Sequence, residues 1–112
     1  MTISPERAEE LWRSGEAVFV DVRRPHELEG ARIEGAIQIE MNELSARAGE
    51  VPRDRPVVFY CRRGNRSGMA ADAFRQAGWD AYHVEGGITA WVEHGLPVEP
   101  PGATVRDPLP DS

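Results

Sequence analysis

The sequence predicts an α/β fold: one domain with a mainly parallel central sheet of about four or five strands, flanked by helices. Two observations predict it. Short apolar runs, AVFVDV at 17–22, AIQI at 36–39, PVVFY at 56–60 and AYHV at 81–84, alternate with segments of helical character. The runs read as buried strands, the kind that parallel sheets covered on both faces contain. A third observation places the chemistry: Cys61 follows the strongly apolar run 56–60, and in parallel sheets function gathers at the carboxyl ends of strands.

The elements follow in order. Ser4 caps exposed N–H groups and Pro5 fits the first turn, so a helix begins there. Ala8, Leu11 and Trp12 share one face of it, and Gly15 ends it. The strand at 17–22 carries Asp21 at its end. Residues 25–29 suit one helical turn, 36–39 a second strand, and 41–48 a short helix. After the third strand at 56–60, residues 64–77 place Met69, Ala70, Ala73, Phe74 and Ala77 at helical spacing, and Gly78 stops the helix. A fourth strand at 81–84 precedes a last helix at 88–94, stopped by Gly95 and Pro97. The domain is thus expected over residues 1–98. The Pro-rich remainder, 99–112, is expected to be a mobile tail. No internal repeat is visible.

Composition narrows the function. A chain of 112 residues buries roughly two-thirds of its unfolded surface, enough to fold without a disulfide or metal. Net charge is -6, which argues against nucleic acid as a bulk partner. All 13 basic residues are arginine, most simply a compositional bias. One cysteine excludes an intramolecular disulfide. The N-terminal segment does not look like a signal peptide, and no stretch approaches the ~20 apolar residues of a membrane span. The expected location is the cytoplasm, where a thiol stays reduced. His26, His83 and His94 lack a metal-ligand spacing, so no metal is expected. Acidic pairs such as Glu9-Glu10 read as solvated faces.

The informative segment is Cys61-Arg62-Arg63-Gly64-Asn65-Arg66-Ser67, a loop between a buried strand and a helix. Loop N–H groups and the positive end of the helix dipole can converge on the sulfur. Three arginines add positive charge. Both effects favour thiolate over thiol and need no histidine as base. Gly64 lets the backbone turn sharply and approach the sulfur. Ser67 either caps the helix or hydrogen-bonds the sulfur. A cysteine after an apolar strand is more often a small buried hydrophobe, but a structural cysteine gains nothing from so many cations in so short a loop.

Here the sequence resembles the rhodanese family over about residues 3–98. Cys61, Gly64, Arg66 and Ser67 match its active-site pattern of Cys-x-x-Gly-x-Arg followed by Ser or Thr. The segment FVDVRRPHELEGARIEGAIQI resembles the family's first block through Asp21, Arg23, Ile33, Gly35 and Ala36. The segment AYHVEGGITAW resembles the last block through Gly86, Gly87 and Trp91. One departure is Ala31-Arg32, where the family often has Gly-His; that histidine is not the sulfur carrier.

The resemblance implies a sulfurtransferase in which Cys61 becomes a persulfide and no cofactor takes part. Thiosulfate or a related anionic persulfide is the implied donor. Cyanide, a small thiol or a thioredoxin-like protein is the implied acceptor. Arg62 and Arg63 are the candidates for binding the donor, with Gly64, Asn65, Arg66 and Ser67 completing the binding loop; Arg66 also has the option of pairing with a carboxylate. Asp21 and Arg23 are expected close by as an ion pair that fixes the loop rather than as reacting groups. Trp91 and Gly86-Gly87 read as core and helix start. A monomer or weak dimer is expected.

Two rivals stand beside this reading. Cysteine phosphatases and arsenate reductases use a similar cradle with one more residue between Cys and Arg; four lie between Cys61 and Arg66. Some rhodanese-like domains serve as non-catalytic binding or regulatory modules and have lost the cysteine, which this chain keeps.

Overall fold

The computed structural model describes residues 1–105. Its centre is a five-stranded sheet built from β1 (Thr2–Ile3), β2 (Val18–Asp21), β3 (Ile37–Gln38), β4 (Val57–Tyr60) and β5 (Ala81–Val84). The strand order is β1-β5-β4-β2-β3, and every pairing is parallel. Three helices flank it: α1 (Pro5–Ser14), α2 (Asn65–Gln76) and α3 (Gly87–Glu93). The predicted α/β class and the four predicted strands are present. The pair β1–β5 adds a fifth strand of two residues, too short for periodicity to reveal.

β4 shows why its apolar run is unbroken. Val57 and Phe59 face one core, beside Phe74 and Trp79, while Val58 and Tyr60 face the other, beside Leu11, Ile88 and Trp91. Helices cover both faces, so neither side of the strand can be polar. Ser4 Oγ accepts the Arg7 N–H at 3.1 Å, and Gly15 closes α1 in the left-handed region, as its sequence signals require.

The segment 41–48 differs from the short helix expected. It forms separate 3-10 turns at Met41–Glu43 and Ala48–Glu50. Asn42, Ser45 and Gly49 favour turns over a helix interior, and so short a segment does not repay helix nucleation. Residues 25–29 form a 3-10 turn.

Beyond residue 98 the chain stays against the domain up to 105. Glu99 and Arg32 exchange backbone hydrogen bonds of 2.8 and 3.1 Å, and the Ala31 N–H donates to Thr104 O at 2.8 Å. Ala103 and Val105 pack on the α1/α3 core. The rest of the tail, 106–112, lies outside the described residues.

Candidate active site

β4 is the central strand, and Cys61 is the first residue past its carboxyl end. The chain then turns through Gly64, at φ 108°, into α2. The turn brings two N–H groups to the sulfur. Gly64 N–H donates to Sγ at 3.1 Å and Ser67 N–H at 3.4 Å. Both lie at the start of a twelve-residue helix, where N–H groups have no intrahelical acceptor and the dipole is positive. Of the two roles open to Ser67, the hydroxyl takes the one on sulfur: Sγ and Oγ are 3.4 Å apart, and α2 has no side-chain cap.

Cys61 is 1% exposed, at the floor of a bowl of about 130 Å³ lined by Cys61, Arg62, Arg63, Asn65 and Arg66. Its own side chain contacts the α2 core, so the residue belongs at once to the apolar interior and to the bowl. A partner must therefore approach along the bowl's axis. Arg63 and Asn65 are exposed on the rim, and Arg62 is half-buried.

Arg66 turns to the side. Its guanidinium grips Glu27 with both Nη atoms, at 2.8 and 3.1 Å. Glu27 is fully buried and also accepts the Arg24 N–H at 3.0 Å. Burial by itself would push the Glu27 carboxyl up. The bonds from Arg66 and Arg24, with the charges of Arg66 and Arg23, outweigh burial and hold it below the usual carboxylate range.

Beneath this pair lies a second. Arg23 Nη2 and Nε reach the Asp21 carboxylate at 2.7 and 2.9 Å, and the Arg23 N–H donates to the same carboxylate at 3.0 Å. Both side chains are buried. Nη2 also donates to Ala31 O at 3.1 Å, and the guanidinium stands 5.5 Å over the Tyr60 ring. The Tyr60 oxygen accepts the Ile33 N–H at 3.1 Å. Burial, with Asp21 close by, pushes the Tyr60 phenol up and keeps it neutral. Asp21 and Arg23 thus hold each other and the 27–33 segment.

The structure brings Cys61, Arg62, Arg63, Gly64, Asn65, Arg66 and Ser67 into one bowl. Asp21 and Arg23 do not line it; they pair with each other, and Arg23 also donates to the backbone of Glu27 and Ala31. Sequence reasoning missed Glu27, whose residue type does not separate it from Glu29; only the register of the 3-10 turn buries one and exposes the other. It also assigned Gly86-Gly87 to helix start alone. Gly87 does open α3, but it also lies against the cysteine loop: a Cβ there would overlap Cys61 O and come within 2.7 Å of the Arg62 carbonyl carbon. The Ile88 and Thr89 N–H groups donate to Cys61 O and Arg62 O at 2.9 and 3.1 Å. Among the described residues, no group of three or more His, Cys, Asp or Glu is arranged to hold a metal, and no helix is long and apolar enough to cross a membrane.

The model of the rhodanese-like domain matches residues 4–94. A protein named sulfurtransferase from Allochromatium vinosum is 37% identical over 99 residues, covering 88% of this chain and 92% of its own. A rhodanese-related protein from Thermoplasma volcanium superposes with a TM-score of 0.82 at 34% identity, over 87% of this chain and 95% of that one. A protein of unknown function from Rhodopseudomonas palustris, described as a possible tyrosine phosphatase, superposes with a TM-score of 0.80 at 33% identity, over 88% of this chain and 83% of that one.

Proposed function

The chain belongs to the rhodanese-like domain family, and from that premise we propose that it is a sulfurtransferase that carries sulfane sulfur as a Cys61 persulfide. Family membership and the similarity to a named sulfurtransferase support sulfur transfer in general. The observation that supports Cys61 as carrier is the pair of N–H groups, from Gly64 and Ser67, aimed at its sulfur beneath an arginine-lined bowl.

The thiolate attacks the outer sulfur of an anionic donor such as thiosulfate. A sulfur–sulfur bond forms on Cys61 as the donor's own breaks, and sulfite leaves with the electron pair. An acceptor nucleophile, a thiol or cyanide, then attacks the outer sulfur, and Cys61 leaves as thiolate. The sulfane sulfur is passed on without net oxidation, so no cofactor takes part. The Gly64 and Ser67 N–H groups stabilise negative charge on Sγ in both steps. Arg63 and Arg62 attract the donor anion. A buried sulfur suits a donor that presents one terminal sulfur end-on.

Incubation with thiosulfate followed by intact-mass measurement tests this. We expect a gain of one sulfur atom, removed by cyanide and absent in Cys61→Ser. A wild-type protein that gains no sulfur overturns the reading and leaves a non-catalytic binding module.

The neighbour described as a possible tyrosine phosphatase favours a second reading, phosphate-ester hydrolysis. Phosphoryl transfer needs donors on the phosphate oxygens, a task for a guanidinium fork. Here the Arg66 fork already grips Glu27, and the bowl is about 130 Å³. We expect no turnover of an aryl phosphate; rapid turnover lost in Cys61→Ser would establish the phosphatase instead.

A further inference from the structure

A buried thiol has a proton to lose and little solvent to take it. The bowl is lined by cations, which do not accept protons. A polar path leaves the sulfur by way of Ser67. Cys61 Sγ lies 3.4 Å from Ser67 Oγ, and that oxygen lies 3.4 Å from Nδ1 of His83 on β5. The other ring nitrogen, Nε2, lies 2.9 Å from Oγ1 of the exposed Thr2 on β1. The ring rests against Gly68 of α2, where an added Cβ would already stand 3.4 Å from Cε1, so helix and strand together hold its plane. His83 is half-buried, between the buried Ser67 and the surface.

We propose that Ser67 and His83 form a proton relay that carries the Cys61 proton from the bowl's floor to the β1 edge, with His83 as a positioning residue for thiolate formation. The inference rests on the sulfurtransferase reading only for its purpose, since thiolate formation can be read without any sulfur donor.

The proton count closes. In the thiol state, Cys61 S–H donates to Ser67 Oγ, Ser67 O–H donates to His83 Nδ1, and His83 Nε2–H donates to Thr2 Oγ1. On ionisation the Cys61 S–H bond breaks and its proton joins Ser67 Oγ. The original Ser67 proton passes to Nδ1, and the Nε2 proton leaves to water or a buffer base. The end state has Ser67 O–H donating to the thiolate and Nδ1–H donating to Ser67. The ring is again neutral, as the opposite tautomer, and Nε2 accepts from the Thr2 hydroxyl. Gly64 O, 3.3 Å from Ser67 Oγ, is the competing acceptor for the serine hydrogen.

The charged groups around the ring suit a transit point. Burial and the Met1 amino group lower the His83 pKa, while Asp72 and Glu85 raise it by less. The imidazole is therefore neutral at neutral pH, free to accept at one nitrogen and release from the other. On the sulfur's side, the Arg66 charge interacts with Cys61 across the bowl.

The test follows Cys61 alkylation by iodoacetamide against pH, alongside the ring-nitrogen NMR shifts of His83. In wild type we expect His83 to exchange its Nε2–H form for its Nδ1–H form in the pH window where Cys61 becomes alkylatable. Ser67→Ala should leave the His83 tautomer unchanged through that window. His83→Gln should move the alkylation midpoint upward by about half a pH unit or more, through loss of the aligned hydrogen-bond donor. A wild-type His83 that keeps one tautomer while Cys61 ionises overturns the relay, whether or not the variants fold. So does a His83→Gln profile that superimposes on wild type. A protein that takes sulfur from thiosulfate but shows no coupling loses the relay alone; one that shows coupling but takes no sulfur loses the sulfurtransferase reading alone.

Discussion

Glu27 and Arg63 show how differently two charges at one site are held. Glu27 has no exposed surface, and its carboxylate is matched by the Arg66 fork and the Arg24 N–H. Arg63 stands on the rim in solvent. Removing one partner of a buried pair leaves an uncompensated charge and costs about 3 kcal/mol, at the low end of the usual range because the Arg66 side chain is 28% exposed. Arg66→Ala should therefore lower stability by about that amount in a denaturant titration. Arg66→Lys should recover little of it, because an ammonium cannot make the two parallel bonds. Arg63→Ala should change stability by less than about 0.5 kcal/mol and lower kcat/KM for thiosulfate. Unchanged thiosulfate kinetics in Arg63→Ala would remove that residue from the donor site.

The cysteine loop is shaped by the elements on both sides of it. α2 supplies its N–H groups, and α3 clamps its carbonyls through the Ile88 and Thr89 N–H groups. The clamp is this close only because Gly87, at φ +61°, has no Cβ to strike Cys61 O. Gly87→Ala should lower stability by about 2 kcal/mol or more from backbone strain and overlap and should displace the loop, so that Cys61 alkylation and sulfur loading fall together. Gly49→Ala, where an added Cβ meets nothing within 4 Å, is the matched control and should stay within about 0.5 kcal/mol of wild type. Equal effects of the two substitutions would mean that the clamp does not shape the site. At this scale much was legible in the sequence. Ser4, Pro5 and Gly15 bound α1 because capping is a local property, and β4 announced itself because both its faces are buried. β1 was hidden because two residues carry no period. Residues 41–48 read as a short helix because a hydrophobic pattern does not separate an α-turn from a 3-10 turn. The bowl's own residues were readable because they are contiguous from 61 to 67. Glu27 and His83 were not, because they reach the site from 34 and 22 residues away in the chain, counted from residue 61, and only the folded sheet brings them there.

For the whole molecule, the site acts as a knot as well as a reaction centre. The Glu27–Arg66 pair ties the 25–29 turn, which follows β2, to α2, which follows β4, and Arg23 below it ties β2 to the 27–31 backbone. Global stability must then carry the pH signature of Glu27. Its folded pKa lies below the ordinary value of 4.5, held down by its partners against the opposing effect of burial. Between the two values the unfolded chain binds a proton that the folded chain refuses, so acid favours unfolding there. The Glu27 contribution is thus fully present above the ordinary carboxylate range. It declines as pH falls below about 4.5 and is gone below the lowered folded value. Glu27→Gln removes the titrating group, keeps the shape, and leaves Arg66 facing a neutral amide. The variant should be less stable than wild type in urea at pH 7. The gap between the two proteins should narrow as the same titration is repeated from pH 5 down towards pH 3. A gap that stays constant across that range would show that folding does not lower the Glu27 pKa, and the charge pairing that anchors Arg66 beside the bowl would have to be abandoned.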